Sequence, residues 1–377
     1  MEARKTVKEK CSRIYIDLVP YTKYNLLSHP FNLYDWGWDV HYWLSDNSDF
    51  GVMLSGGLID HDYGFRNDPY TYRADLFADY SPTVNKFRAK FLGEFYRWVK
   101  GARVIVNTRI STMEILHFHG YGNETNWDKD LESRDYYDVH QEQYFLSSDI
   151  VFPVSNSISF SLGGAIKYLK TDSDHNSLLA VTKPYGFGKM ALVSVVAGFT
   201  VDTRDFFKAA TKGLFLSLSA TYFPKILDNQ DNFGKVLGDI RMYHTVQILT
   251  PATFALRLQG EKLWGTYPVY EAAFIGGVHS LRGFNLQRFA GDAAISGSLE
   301  ARFLMTRYNF VVPTSFGFLG FSEIGRVFLS GESSSIWHNG YGGGVWFSFL
   351  HPVATLSISL GKSAETLGLY FGLGFTF

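Results

Sequence analysis

Cysteine, proline, charge of one sign and long apolar runs are all scarce in this sequence, and each shortage excludes something. The single cysteine, Cys11, rules out an internal disulfide and a multi-cysteine metal site. Lys and Arg number 35 against 36 Asp and Glu, a net charge of -1, whereas a nucleic-acid partner would call for a basic face. No nucleic-acid partner is therefore expected. Charged residues are 19% of the chain, below the about 25% usual for soluble domains. The longest stretch without Asp, Glu, Lys or Arg runs from Ser333 to Gly361. It is rich in Gly and Ser and is broken by His338, His351 and Pro352. A helical membrane span needs about 20 mostly apolar residues, so none is expected. Residues 1–12, "MEARKTVKEKCS", are charged and lack the apolar core of a secretory signal.

What the chain does have is aromatics and glycine: 33 Phe, 23 Tyr and 8 Trp make 17% of it, beside 36 Gly and only 11 Pro. That mixture suits many strands with Gly-rich turns and aromatic girdles better than it suits helices. The period of the pattern agrees. In "LGLYFGLGFTF", Leu367, Leu369, Phe371, Leu373, Phe375 and Phe377 alternate with Gly368, Tyr370, Gly372, Gly374 and Thr376. In "GLFLSLSATYF", Leu214, Leu216 and Leu218 alternate with Phe215, Ser217 and Ser219. Alternation of this kind is a strand with one apolar face.

Two all-β readings are open, a soluble sandwich with its apolar faces buried and a membrane barrel with its apolar faces turned to lipid. Three features favour the barrel. The segments approach the roughly 10 residues that cross a bilayer at a tilt. Aromatics such as Tyr222 and Phe223, or Tyr308 and Phe310, sit at strand ends as interface girdles do. The last strand ends flush on Phe377 with no polar tail. The expected fold is a transmembrane antiparallel β-barrel of about 16 strands, since closure removes the edges that lipid could not satisfy. Strands are expected to begin near Phe50, Tyr70, Phe87, Ala102, Tyr137, Ser157, Lys189, Gly213, Val236, Thr253, Tyr267, Ile295, Ser315, Gly340, Val353 and Leu367. Short turns around Pro153 and His351 alternate with long polar connections at 123–135, 170–183, 228–234 and 276–292. The barrel is assigned to 36–377, and 1–35, which has no strand rhythm, to a connector or N-terminal remnant.

Several short motifs then fall into order. "HSLRGF", His279 to Phe284, resembles the loop motif of the BamA-type outer-membrane assembly and secretion barrels, the bacterial surface antigen family. "FSEIG", Phe321 to Gly325, is similar to that family's Phe-x-Asp-x-Gly motif on strand thirteen, with Glu323 where the family usually has aspartate. "VDTRD" with Lys212-Gly213 resembles its Asp-Thr-Arg-Asp turn before a Gly-led strand, and places Asp202, Arg204 and Asp205 there. "FHGYGNET", Phe118 to Thr125, resembles a segment of some members, frequent in barrels fused behind a calcineurin-like metallophosphoesterase. The terminal "FGLGFTF" resembles the assembly signal read by the outer-membrane machinery, which singles out Phe371, Phe375 and Phe377.

The resemblance implies a location in the outer membrane of a Gram-negative bacterium and a role in insertion, translocation or surface display of a polypeptide. The alternative is an anchor or export barrel for a fused enzyme domain; an outer-membrane hydrolase and a simple porin are further readings. The partners implied are outer-membrane lipid and lipopolysaccharide, the assembly machinery during biogenesis, and a client polypeptide or fused N-terminal domain. It also implies an inward loop between strands eleven and twelve. Arg282 offers a planar fork of donors suited to a carboxylate. Gly283 allows the tight tip, and Phe284 is a packing anchor. Folded inward, Arg282 is expected to reach Glu323, flanked on its strand by Phe321 and Gly325.

No enzyme activity is expected of this chain, and any catalytic domain would be N-terminal and outside it; no cofactor or metal is expected either. Asp202, Arg204 and Asp205 read as a charged turn at the membrane rim rather than paired catalytic carboxylates. Asp60, His61 and Asp62, with His117 and His119, raise a metal site or an Asp/His protease, but nothing in their spacing makes them converge. "GYGGGVW", Gly340 to Trp346, lacks the lysine and helix start of a phosphate loop and reads as a strand approached closely by other backbone.

Overall fold

The alternating segments form strands in a computed structural model, which describes residues 15–17, 39–47, 50–62, 71–96, 98–171, 177–309, 312–350 and 354–377. Sixteen long strands follow in order: β1 (Asp39–Asn47), β2 (Gly51–Asp62), β3 (Tyr72–Ser81), β4 (Lys86–Phe95), β5 (Arg103–His117), β6 (Asp138–Pro153), β7 (Ile158–Thr171) and β8 (Lys189–Asp202). Then come β9 (Gly213–Phe223), β10 (Phe233–Gln247), β11 (Pro251–Gly265), β12 (Ala293–Asn309), β13 (Pro313–Phe328), β14 (His338–Phe349), β15 (Thr355–Lys362) and β16 (Leu367–Leu373). Each pairs antiparallel with the next, from β1 to β16. A three-residue segment, Tyr15–Asp17, pairs parallel with β16 at Tyr370–Gly372.

The two faces of this sheet are the reverse of a soluble protein's. On β12, Ile295, Leu299 and Phe303 are exposed, while Ser296, Ser298, Glu300 and Arg302 between them are buried. On β11, Phe254, Leu256 and Leu258 are exposed around a buried Arg257. Leu256 and Leu299 stand side by side in the ladder, so the apolar surface is continuous between strands. A large contiguous apolar surface facing outward marks contact with something other than water. Among the described residues no helix is long and apolar enough to cross a membrane.

The sheet is strongly curled. Laid flat at about 4.8 Å per strand, β5 and β13 would lie roughly 38 Å apart. Asn123 is only six residues past the end of β5, a reach of about 21 Å, yet its side-chain oxygen accepts from the Val327 amide of β13 at 3.0 Å. The long connections between β5 and β6, β7 and β8, β9 and β10, β11 and β12, and β13 and β14 all leave the same edge of the meander. They pack into apolar clusters of their own. One joins Leu263, Ile275, Leu281, Phe284 and Phe289 with Val327; another joins Leu116 and Phe118 with Leu179 and Val269.

Three expectations need correction. β1 is a strand ahead of the first one expected, with Val40, Tyr42 and Leu44 exposed on one face; the polar residues Asp39, His41, Ser45, Asp46 and Asn47 interrupt the apolar rhythm in sequence. No long strand starts at Tyr267. Pro268 interrupts there, a 3-10 turn covers Val269–Glu271, and a short hairpin pairs Ala273–Ile275 with Phe289–Gly291. Its apolar residues fill the loop core instead of facing outward. The two errors cancel, which keeps the count at sixteen and the 276–292 segment between β11 and β12.

The third correction concerns the end of the chain. β16 stops at Leu373, and Gly374 takes φ +97°, a conformation that favours glycine. The alternation breaks there: Phe377 is buried, and the Phe375 ring packs edge-on against Trp346 at 5.7 Å. The strand does not run flush to Phe377. Cys11, Phe310, His351, Pro352 and, apart from 15–17, the 1–35 connector lie outside the described residues.

Candidate functional site: a loop pinned to one wall

The segment between β11 and β12 lies against the polar face of the sheet and is held at three places. The innermost is Arg282. Its backbone amide donates to Glu323 Oε2 at 2.6 Å, and its Nε and Nη2 reach Oε1 at 2.7 and 2.6 Å. Both residues are buried, and the guanidinium carbon sits 3.3 Å from the centroid of the Phe321 ring. Phe321, Glu323 and Gly325 are spaced by two on β13, so they share one face. All three meet the loop: a Cβ at Gly325 would stand 2.8 Å from Leu281 Cδ1. Gly283 takes φ +91°, and a Cβ there would lie 2.6 Å from the Lys362 and Ser363 backbone. Its amide donates to the Tyr370 hydroxyl at 2.7 Å, and its carbonyl accepts from the Ser363 and Thr366 hydroxyls. Phe284 is buried between Phe289 and His338, both edge-on.

A second carboxylate, absent from the sequence reading, completes the charge balance. Glu300 on β12 accepts from Arg282 at 3.3 Å and from Arg302 at 2.7 Å. Arg302 continues to the carbonyl oxygens of Ala210 and Phe377, at 3.1 and 2.7 Å, and lies over the Phe375 ring. Arg282 also donates to the Thr376 hydroxyl at 3.0 Å. Two arginines and two glutamates therefore form one buried chain from the loop tip to the last residues. A buried charge in such a chain is costly once its partner is lost, about 3–5 kcal/mol.

The second place is Arg288. It forms a bidentate pair with Glu365 in the β15–β16 turn, at 2.8 to 3.1 Å, and donates to the hydroxyl and carbonyl of Thr125 at 2.6 Å. Burial pushes the Glu365 carboxyl up, and Arg288 opposes that. Here the "FHGYGNET" segment finds its place. Gly122 donates to the Ala290 carbonyl at 2.8 Å, and the Asn123 amide donates to both Glu332 oxygens at 2.9 Å. The Asn123 side-chain nitrogen donates to Ser334 and to the Ile336 carbonyl. This segment joins the β5–β6, β11–β12 and β13–β14 connections.

The third place is Glu271. Lys167 of β7 and Lys235 of β10 reach its two oxygens at 2.5 and 2.8 Å. Burial alone would raise this carboxyl; the two ammonium groups override it and hold it at about 2.

The remaining candidates stay apart. In the turn before β9, Arg204 makes a bidentate pair with Asp202, while Asp205 accepts from the amides of Phe206, Thr211 and Lys212 and from the Thr211 hydroxyl. Those carboxylates are consumed in shaping the turn. Asp60 accepts from the Tyr72 hydroxyl at 3.0 Å. His117 pairs with Asp138 at 2.6 Å and His119 with Glu132 at 3.3 Å, two separate pairs. Burial lowers the His119 pKa against the pull of Glu132. Among the described residues no three His, Cys, Asp or Glu gather to hold a metal ion. The glycines of β14 serve close approach: a Cβ at Gly340 would overlap the Arg282 carbonyl, and one at Gly342 would stand 2.6 Å from the Phe321 ring.

A sixteen-strand antiparallel meander, apolar on its exposed face and holding an Arg-Gly-Phe loop on its polar face, is the class of the outer-membrane β-barrels. A model of the Omp85 superfamily domain matches residues 73–377, and the chain belongs to that superfamily. Its place is the outer membrane of a Gram-negative bacterium. Two solved structures share the fold. BamA from Haemophilus ducreyi lacking POTRA domains 1–3 is 14% identical with a TM-score of 0.57, over 87% of this chain and 67% of that one. CdiB from Escherichia coli is 11% identical with a TM-score of 0.55, over 90% of this chain and 62% of that one. The chain thus spans about two thirds of the length of each. No curated protein matches it.

Glu300, Arg302, Arg288, Glu365, Tyr370 and Glu271 were missed in the sequence. A signal existed for the first two: in "LEARF", Glu300 and Arg302 share the polar face of a strand whose other face is apolar. Glu365 and Glu271 lie in turns and carry no local signal.

Proposed function

We propose that the sheet closes into a transmembrane barrel and that the β11–β12 loop is locked inside its bore by the Arg282–Glu323 pair. The barrel acts in insertion, translocation or surface display of a polypeptide across the outer membrane. The observation that carries this reading is the burial of Arg282 against Glu323 and Glu300 on the polar face, with the same loop tied through Arg288 to Thr125, just past β5. A loop bound to elements so far apart in the meander spans the space that the curled sheet encloses. Glu323 in place of aspartate suits the role, since the longer side chain meets both the backbone amide and the guanidinium of Arg282.

Lipid and lipopolysaccharide surround the exposed apolar face in this reading. The assembly machinery handles the chain during biogenesis, and a client polypeptide is the transported species. Phe375 and Phe377 are turned inward in the folded state, so any signal they form is read before the tail folds in. The anchor reading, with a fused N-terminal enzyme, drew on the "GNET" resemblance. In that segment Gly122 and Thr125 meet the β11–β12 loop and Asn123 meets the β13–β14 connection, and the fusion has no second observation behind it.

Conductance in planar bilayers tests the lock. Deleting residues 278–290 is expected to raise single-channel conductance several-fold over the parent. An unchanged conductance places the loop outside any bore and ends the proposal.

A further inference from the structure

The wall made by β3, β4 and β5 carries charge that the loop does not use. The ladders set Lys90 of β4 directly across from Arg109 of β5, and Arg109 across from Phe145 of β6. On its other side Lys90 stands across from Phe77 of β3. Followed strand by strand, the registers put Lys90 and Arg109 on the same sheet face as Glu300 and Glu323.

Like charges directly opposed across two strands destabilise the pair, so Lys90 and Arg109 call for counter-charge. The carboxylates facing them are Glu114 and Asp79. Glu114 pairs with Arg88 at 3.3 Å and with Arg109 at 3.4 Å, and Asp79 comes within 4.0 Å of Arg88. Asp75 is taken by Arg73 at 2.8 Å. Three cations, Arg88, Lys90 and Arg109, thus share two acids. Among the described residues no hydrogen bond or ion pair closes on the Lys90 ammonium. Arg109 engages Glu114 through Nη1 alone, so its Nε and Nη2 retain donors. The site is also open. Lys90 is half-buried, the Arg109 side chain is 33% exposed, and the Phe77 ring leans onto Gly57 of β2, away from β4.

We propose that Lys90 and Arg109, with Arg88 beside them, form a binding site for a phosphate-type oxyanion that reaches the polar face from water. A tetrahedral oxyanion offers several acceptor oxygens, which suits a guanidinium fork beside a compact ammonium. Its charge relieves the repulsion that the ladder register imposes. The site stands on a different wall from the Arg282 lock and requires only water access, not conductance or transport.

Lysine acylation of the folded full chain in detergent, read residue by residue by mass spectrometry, tests it. Lys90 is expected to react, and inorganic phosphate near saturation is expected to slow it about fivefold or more, in proportion to occupancy. Chloride at the same ionic strength controls for screening. Glycerol phosphate run alongside tells free phosphate from a phosphomonoester head, and protection by either supports the site. Arg109→Gln is expected to abolish the phosphate effect. A Lys90 that does not react shows a closed site and overturns the proposal. So does equal protection by phosphate and chloride, which is screening and no site.

Discussion

Two walls of one sheet handle charge in opposite ways. On β12 and β13, Glu300, Arg302 and Glu323 are at most 3% exposed, and each has a defined partner. On β3 to β5, the side chains of Arg73, Arg88 and Arg109 are 15, 23 and 33% exposed, and Lys90 has no closed pair among the described residues. The strands of both walls alternate alike, with apolar residues on the exposed face. The difference is that the β11–β12 loop packs Arg282 against β12 and β13, while Arg88, Lys90 and Arg109 keep more of their surface exposed. Strand pattern decides which face is polar, and the loop decides whether that polarity is desolvated. Desolvated charge must be paired closely, since losing a partner leaves an unsatisfied ion. Hydrated charge tolerates loose pairing, because water and salt screen it.

The comparison breaks most readily at Arg282. Arg282→Ala leaves Glu323 and Glu300 buried without their shared cation and is expected to cost about 3–5 kcal/mol. The temperature at which the folded species converts on a semi-native gel should fall clearly below the parent's. A variant that resists heat like the parent would mean the loop wall is no more demanding than the free wall.

Acid sharpens the comparison at a second point of the same loop. Glu271 is held at about 2 against an ordinary 4.5. A carboxyl lowered on folding stabilises the fold above its ordinary value, and that contribution is lost as pH falls through the lowered one. Between about pH 5 and pH 2 the folded chain should lose about 2–3 kcal/mol from this group. Glu271→Gln should flatten that part of a denaturant-midpoint profile, and an unaltered slope would remove Glu271 from the account.

The smallest effect is expected on the free wall. Arg109→Ala breaks a partly exposed pair with Glu114 and should cost about 0.2–1 kcal/mol in the same denaturant assay. A loss matching that of Arg282→Ala would show that both walls are equally desolvated and erase the distinction.

Much of the architecture was readable beforehand. The alternation of β9 and β16 marks strands with one apolar face, because each side chain of a strand projects opposite to its neighbour. The polar segments at 123–135, 170–183, 228–234 and 276–292 mark long connections, and all of these leave one edge. Where reading failed, the local pattern was imitated or hidden. "TYPVYEAAFIGG" is as apolar as a strand, yet its side chains go into a core built by other loops. The end "LGLYFGLGFTF" alternates to the last residue, but Gly374 turns it and Phe377 is buried. Of the buried charge chain, Arg282 and Glu323 were legible through their motifs, while Glu300 looked like any strand charge.

The sequence by itself determined most of the strands, the apolar and polar face of those, and an Arg-Gly-Phe loop between β11 and β12. Those follow from a period of two and a few tightly spaced residues, all local properties of the chain. Only the tertiary structure decided which carboxylates meet Arg282 and Arg288, that the last residues fold inward, and that the charges of β12 and β13 are more deeply buried than Arg88, Lys90 and Arg109. These depend on contacts between residues 18 to 163 positions apart, and distance along the chain carries no record of them until the sheet curls.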